Sequence, residues 1–329
     1  MPSPTPIAVL GATGTVGQKL IRMLMTHPRF RVGELIASER NLGKPYGQAV
    51  LWKEETPLPE SLAARSLCSH EDIRSPFALS ALPEEVAGEV EPALMERGIH
   101  VVSNASAHRM DPQVPLVIPE INKGHLELLE SQSTPGKIVT NPNCAAIFAA
   151  LGVAPLLELG KLEHLSLTTL QAVSGAGYPG VPSLDILGNI IPLPKEEEKI
   201  EREMKRILGK VREKASFSVT AHAHRVPVLH GHTVALHLFF DRPVTAPEAI
   251  ERYEAWNTQY PKTFCVHGAQ DRPQPTRDIH SLDQRVHIGR LKQGDGPHIL
   301  GLISQGHNLV RGAAGAALLN LEALEDYLG

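Results

Sequence analysis

The stretch from Ile7 to Met25 constrains this chain most. Ile7-Ala8-Val9-Leu10 is a short apolar run of the kind that forms a buried strand. It runs directly into Gly11-Ala12-Thr13-Gly14-Thr15-Val16-Gly17, after which Gln18 to Met25 carries helical periodicity. A strand, a glycine-rich turn and a helix in that order form the setting of a dinucleotide fingerprint, here spaced GxxGxxG. Gly11 permits the tight turn, Gly14 lets the backbone approach a pyrophosphate, and Gly17 lets the helix lie close to the sheet. The amides of Thr13, Gly14, Thr15 and Val16 would face that pyrophosphate at the helix N-terminus.

The next strand is expected over 32–37, followed by Ser38-Glu39-Arg40-Asn41-Leu42-Gly43-Lys44. An NAD-binding site usually places a carboxylate at this strand end for the ribose 2′-hydroxyl. Ser38 stands there instead, with Arg40 and Lys44 close by, which favours a 2′-phosphate and therefore NADP; Glu39 is the contrary sign. A strand at 77–80, a helix at 84–97 and a strand at 99–102 continue an α/β pattern. The last of these strands ends in Ser103-Asn104-Ala105-Ser106-Ala107-His108-Arg109-Met110. Ligands bind at the carboxyl ends of such strands, so this segment is either an anion site or a solvated loop.

A second feature is chemical. Lys137-Ile138-Val139-Thr140 reads as a strand, Asn141-Pro142-Asn143 as a turn, and Cys144 opens an Ala-rich apolar run. A helix N-terminus carries a partial positive charge and unpaired N–H groups. Both favour thiolate over thiol, and the same N–H groups could serve a tetrahedral oxyanion. A buried, inert thiol is the alternative.

The second half continues with a β-rich run at 165–173 that exits through Ser174-Gly175-Ala176-Gly177. A helix at 196–208 starts with Glu196-Glu197-Glu198-Lys199, where Glu196 and Lys199 share a face; a solvated charged face explains these residues equally well. Four histidines then fall within eleven residues, His222, His224, His230 and His232. His222 and His224 lie on one strand face, but no cysteine or carboxylate lies near in sequence to complete a tetrahedral metal set. A strand with Arg225, a proline turn and a returning strand with His232 is the reading preferred. Further on, a helix at 246–259 capped by Thr245, a hairpin joining 286–291 to 299–303, and an Ala/Leu-rich helix at 312–328 are expected.

Composition excludes several classes. The net charge of −4 gives no basic footprint for nucleic acid. No apolar run approaches the ~18 residues of a membrane span. Met1-Pro2-Ser3-Pro4-Thr5-Pro6 lacks the plan of a signal peptide and reads as a frayed lead into a strand. Three widely spaced cysteines form neither a disulfide framework nor a CxxC metal pattern, which points to a reducing cytoplasm.

Taken together, Gly11–Gly17, Ser103-Asn104-Ala105…Arg109-Met110, Ile118-Pro119-Glu120-Ile121-Asn122 and Asn141-Pro142-Asn143-Cys144 resemble aspartate-semialdehyde dehydrogenase. So do Gln171-Ala172-Val173-Ser174-Gly175-Ala176-Gly177, Glu196–Lys199, Arg225-Val226-Pro227…Gly231-His232 and Asn308–Gly315. The likeness is greater to the archaeal and fungal branch than to the common bacterial one. It implies a Rossmann-type doubly wound parallel sheet with an α+β catalytic and dimerisation domain built on a mixed sheet. The boundaries expected are 1–143 with 307–329 for the NADP-binding domain, and 144–306 for the catalytic domain, in a homodimer or homotetramer.

By the same resemblance Cys144 is the acylated nucleophile, His232 the general acid/base, and Gln171 the residue that holds the thioacyl intermediate. Arg225, Glu196 and Asn143 meet the substrate, with Arg225 on its α-carboxylate and Glu196 on its ammonium group. Ser103, Asn104, Arg109 and Lys199 line a phosphate site. Ser174, Gly175 and Asn308 join the cofactor set, Asn308 at the nicotinamide carboxamide. Ala145 departs from the Ser or Thr common after the cysteine in this family. The activity implied is NADP-dependent reductive dephosphorylation of L-aspartyl 4-phosphate, a step toward lysine, threonine and methionine, with no metal required. The alternatives are a sister reductase acting on N-acetylglutamyl phosphate or malonyl-CoA, and a non-catalytic NADP-binding redox sensor.

Overall fold

The structure is a computed structural model that describes residues 3–329. Of the expected frayed lead, Met1 and Pro2 lie outside the described residues, and strand β1 already begins at Thr5 (Thr5–Leu10). Two compact units divide the chain. The first comprises the chain through Pro119, Lys123–Pro142 and Ala313–Gly329; the second comprises Glu120–Asn122 and Asn143–Gly312. The division falls one residue before that expected at 143, and the return to the first unit begins at Ala313 rather than at 307. Two local contacts account for this within the second unit. Gly312 packs on Cys144, and Arg311 donates to the Glu120 carboxylate at 2.8 Å.

The first unit is a five-stranded sheet in the order β2-β1-β3-β4-β5, all parallel, where β2 is Phe30–Ile36, β3 Phe77–Ser80, β4 His100–Ser103 and β5 Ile138–Thr140. Parallel strands are buried on both faces, and β1 shows how. Ile7 and Val9 join one core with Leu20, Ile21 and Leu24 of helix α1 (Thr15–Leu24) and with Ala317, Leu318 and Leu321 of the C-terminal helix Gly315–Leu328. Ala8 and Leu10 join a second core with Leu94 of helix α2 (Glu84–Glu96). Alternation along one strand thus feeds two helical layers, which makes the sheet doubly wound.

The second unit is a seven-stranded mixed sheet in the order β10-β11-β12-β9-β6-β8-β7. Here β6 is Leu162–Ala172, β7 Ile191–Pro192, β8 Ser218–Val226, β9 His232–Phe240, β10 Phe264–Val266, β11 Val286–Gly294 and β12 Gly296–Gly306. Helix α3 (Cys144–Val153) is apolar and buried all round from Ala145 onward. It lies on the face that presents His232, Val234, Leu236 and Leu238, all buried. Its Gly152 abuts the Leu236 side chain, and Phe148 O accepts a hydrogen bond from Ser304 Oγ at 2.7 Å. Helix α4 (Pro194–Ile207) covers β8, and helix α5 (Ala246–Gln259) packs on β10 and β11, with a Thr245–Glu248 capping box at its start. The other sheet face is only partly covered; Leu170 stands 39% exposed there.

One expected connection differs. The strands carrying Arg225 and His232 do not pair with each other. β6 lies between them, parallel to β8 and antiparallel to β9. Residues 227–231 are too few for a crossover but enough to span one intervening strand, so the two ends still meet at the carboxyl end of β6.

Candidate active site

Asn143 starts the site by starting the helix. Its extended backbone makes it the N-cap of α3, and its Oδ1 accepts from Ala145 N–H (2.9 Å) and Ala146 N–H (3.3 Å). Two of the helix-start donors expected for an oxyanion are therefore already engaged. The Asn143 Nδ2 donates to Glu196 at 2.5 Å, and its backbone N–H donates to Glu203 at 2.5 Å. Cys144 follows as the first helical residue. Gly312 lies so close that a Cβ there would stand 2.9 Å from Cys144 Cβ.

His232 Nε2 is 3.1 Å from Cys144 Sγ. The other ring nitrogen, Nδ1, accepts the Ala172 backbone N–H at 3.0 Å. A nitrogen that accepts carries no proton, so the neutral ring bears its proton on Nε2, facing sulfur. A second proton on Nδ1 would confront the Ala172 N–H. Burial, reinforced by the charges of Arg225 and His307, holds the His232 pKa down to about 3. The resting pair is thus a neutral imidazole N–H directed at the sulfur of a cysteine at a helix N-terminus.

Arg225 and Gln171 are direct register partners across β8 and β6. Gln171 is buried, and its Nε2 donates to Thr169 Oγ1 at 3.2 Å. Arg225 is 7% exposed, and its Nη1 donates to Ala172 O at 2.8 Å. Its Nε has no hydrogen-bond partner among the described residues. Burial lowers the Arg225 pKa, against the attraction of Cys144 and Glu196. A buried guanidinium with an unmet donor is suited to receive a carboxylate. Glu196 also pairs with Lys199 at 3.6 Å, as their i,i+3 spacing predicts.

Gly175 closes one wall: a Cβ there would stand 2.9 Å from both Arg225 Nη1 and His232 Cε1. Ser174 Oγ accepts from Asn308 Nδ2 at 2.8 Å and lies 3.1 Å from His230 Nδ1. Asn308 Oδ1 accepts the Gly231 N–H at 2.9 Å, which fixes the turn just ahead of His232. The second unit alone therefore brings together Cys144, His232, Gln171, Arg225, Asn143, Glu196, Lys199, Ser174, Gly175 and Asn308.

In the first unit Gly11 has φ +72°, and a Cβ would meet Ala81 O at 2.6 Å. A Cβ on Gly17 would stand 2.2 Å from Gly11 O, which is the close approach of helix to turn expected there. Gly14 is the N-cap of α1 and supplies no side-chain cap, so the helix N-terminus, with Thr13, Thr15 and Val16 beside it, is left suited to an anion. Ser38 sits just beyond β2 at the start of a short 3₁₀ turn, exposed with Arg40 and Lys44 nearby, and Lys44 donates to Asn41 Oδ1 at 3.1 Å. Ser103 Oγ donates to Glu91 at 2.7 Å, Asn104 Oδ1 accepts from Asn141 Nδ2 at 2.8 Å, and Arg109 Nη2 donates to Asn104 O at 2.6 Å.

Three residues that sequence reasoning missed hold these sites in place: Glu91, Glu203 and Asn141. Burial raises the Glu91 pKa, although the bond from Ser103 and the nearby His108 oppose the rise. Glu203 had a legible signal, since it lies seven residues after Glu196 in the same helical stripe as Ile200 and Ile207, both buried. His222 and His224 share the outward face of β8, with ring centroids 6.5 Å apart. Among the described residues, no helix is long and apolar enough to cross a membrane.

Residues 6–129 match the family model for the semialdehyde dehydrogenase NAD binding domain, and residues 153–311 match that for the semialdehyde dehydrogenase dimerisation domain. Aspartate-semialdehyde dehydrogenase of Archaeoglobus fulgidus is 44% identical over 335 residues, covering 97% of each chain. That of Schizosaccharomyces pombe is 36% identical, covering 96% of each. The crystal structure of aspartate semialdehyde dehydrogenase with NADP from Candida albicans superposes with a TM-score of 0.88 at 33% identity, covering 98% of this chain and 99% of that one. With two family models and full-length relatives in agreement, this chain belongs to the aspartate-semialdehyde dehydrogenase family.

Proposed function

We propose that this protein catalyses the NADP-dependent reductive dephosphorylation of L-aspartyl 4-phosphate to L-aspartate 4-semialdehyde. The observation that carries the reading is the 3.1 Å approach of His232 Nε2 to Cys144 Sγ at the start of α3. The Cys144 thiolate, held by the Nε2–H, attacks the acyl carbon; the C–S bond forms as the C–O bond to phosphate breaks, and phosphate leaves. When bound, NADPH would supply the hydride that reduces the resulting Cys144 thioester. The oxyanion formed at that carbon takes a hydrogen bond from His232 Nε2–H, in place of the capped helix amides. Its collapse expels the Cys144 thiolate and releases the aldehyde. In the reverse direction, proton removal from the hemithioacetal needs a bare Nε2, so the ring proton must move to Nδ1 and the Ala172 bond must be given up.

The unmet Nε of Arg225 is assigned to the substrate α-carboxylate and Glu196 to its ammonium group. That pairing favours aspartyl phosphate over an N-acetylated substrate or malonyl-CoA, and a non-catalytic sensor would need neither residue. Gln171 is assigned to the thioacyl group, and Ser103, Asn104, Arg109 and Lys199 to phosphate. Gly11–Gly17, Ser38, Arg40, Lys44, Ser174, Gly175 and Asn308 are assigned to NADP. The half-covered sheet face, with exposed Leu184, Leu187 and Ile190 in the same unit, supports assembly as a homodimer or homotetramer. A cytoplasmic setting is proposed on the three free thiols.

The test is phosphate-dependent NADP reduction with aspartate semialdehyde. Activity is expected, with NADP preferred over NAD, and Cys144→Ala abolishes it while NADPH binding persists. Turnover retained in Cys144→Ala would overturn the covalent route; activity only with N-acetylglutamyl semialdehyde would overturn the substrate.

A further inference from the structure

The second unit carries one other group of metal-ligand chemistry, at the far edge of its sheet. β10 and β11 run parallel with Cys265 paired to His287. Paired residues project to the same face, as does the residue two further along a strand. Cys265, His267 and His287 therefore converge, and a ligand atom from each lies within 4.8 Å of the others. His267 Nε2 and His287 Nδ1 are 3.0 Å apart, with the rings nearly parallel at 17°. Tetrahedral zinc, with Zn–N near 2.0 Å and Zn–S near 2.3 Å, sets its ligands about 3.3–3.6 Å apart. The two nitrogens already stand close to that spacing.

The surroundings suit a cation. His287 is buried, and its Nε2 faces the Asp283 carboxylate at 3.4 Å, the outer-shell arrangement that orients the opposite nitrogen toward a metal. Asp278 Oδ1 lies 3.7 Å from His267 Nε2. The nearby guanidinium groups are each matched: Arg285 pairs with Asp283 at 2.7 Å, and Arg272 Nε donates to Asp278 at 2.8 Å. One thiolate with two imidazoles selects borderline-soft ions over magnesium or calcium.

We propose that Cys265, His267 and His287 form a binding site for a divalent cation of the zinc class, with a fourth position open to water. The site is empty. It is separate from Cys144: His287 pairs with Gln305 and Gln305 with Thr233, so His287 shares its face with Thr233, opposite the face of His232.

Cobalt(II) titration of the full-length chain tests this. Cys68→Ser and Cys144→Ala are introduced first, so that Cys265 is the only thiol. One equivalent is expected to bind, with a thiolate-to-cobalt charge-transfer band and the intense visible absorption of four-coordinate cobalt, and zinc should displace it. Adding Cys265→Ser should remove the charge-transfer band. Because His287 is buried, His267→Gln supplies the second arm; it should weaken binding by about tenfold or more with an unchanged circular dichroism spectrum. No thiolate band, or cobalt affinity and visible absorption unchanged by Cys265→Ser, would overturn the proposal.

Discussion

His232 Nε2 reaches Cys144 Sγ across 88 positions of sequence, while its Nδ1 is held by the Ala172 N–H. The backbone of β6 thus sets which nitrogen carries the proton. His232→Asn is expected to lower kcat by about 10²–10⁴ with little change in KM. Nitrogen-15 chemical shifts of the resting enzyme should report the Nε2–H tautomer; an Nδ1–H signal would contradict this arrangement.

The same residue makes stability depend on acid. The folded His232 titrates near 3 and the unfolded ring near 6.5. Between those values the unfolded chain binds a proton that the folded chain refuses. Stability is therefore unaffected above about pH 7 and falls as pH drops from 6.5 toward 3, with a slope up to about 1.4 kcal/mol per unit. Denaturant melts across this window should show the slope in wild type and its reduction in His232→Gln.

Asn143→Ala removes the cap from two helix amides and the bond to Glu196. A loss of about 1 kcal/mol in stability is expected, together with a lower kcat as Cys144 loses its fixed start of helix. An unaltered thermal midpoint would show that the cap is replaceable.

Gly175→Ala places a methyl group 2.9 Å from both Arg225 Nη1 and His232 Cε1. Folding should survive, because residue 175 lies in an exit turn rather than in the core. Steady-state kinetics should show a raised KM for aspartate semialdehyde and a lower kcat.

Arg225→Lys keeps the charge but loses the planar fork. A fall in kcat/KM of about tenfold to a hundredfold is expected from one lost charge-assisted bond, mostly through KM. An unchanged KM would remove Arg225 from carboxylate recognition.

Much of this was legible along the chain. Gly11–Gly17 announces its turn because only glycine accepts φ +72° with Ala81 O so near. Cys144 announces its helix because an Ala-rich apolar run follows the Asn141-Pro142-Asn143 turn. The cap at Thr245 and the strand at 77–80 are equally local. Such features depend on neighbours in sequence, so sequence alone determined the two sheet-forming halves and the cysteine at a helix start.

Tertiary structure decided what depends on register between distant strands. Inserting β6 between β8 and β9 places Gln171 beside Arg225 and gives Ala172 N–H to His232. The packing of α4 on α3 buries Glu203 under Asn143, turning a helix carboxylate into an anchor. The pairing of β10 with β11 aligns Cys265 with His287, 22 positions apart, though neither residue is marked by its neighbours. The physical reason is common to all three: hydrogen-bonded registry and desolvation fix a side chain's proton, charge and partners, and neither is set until the strands have paired.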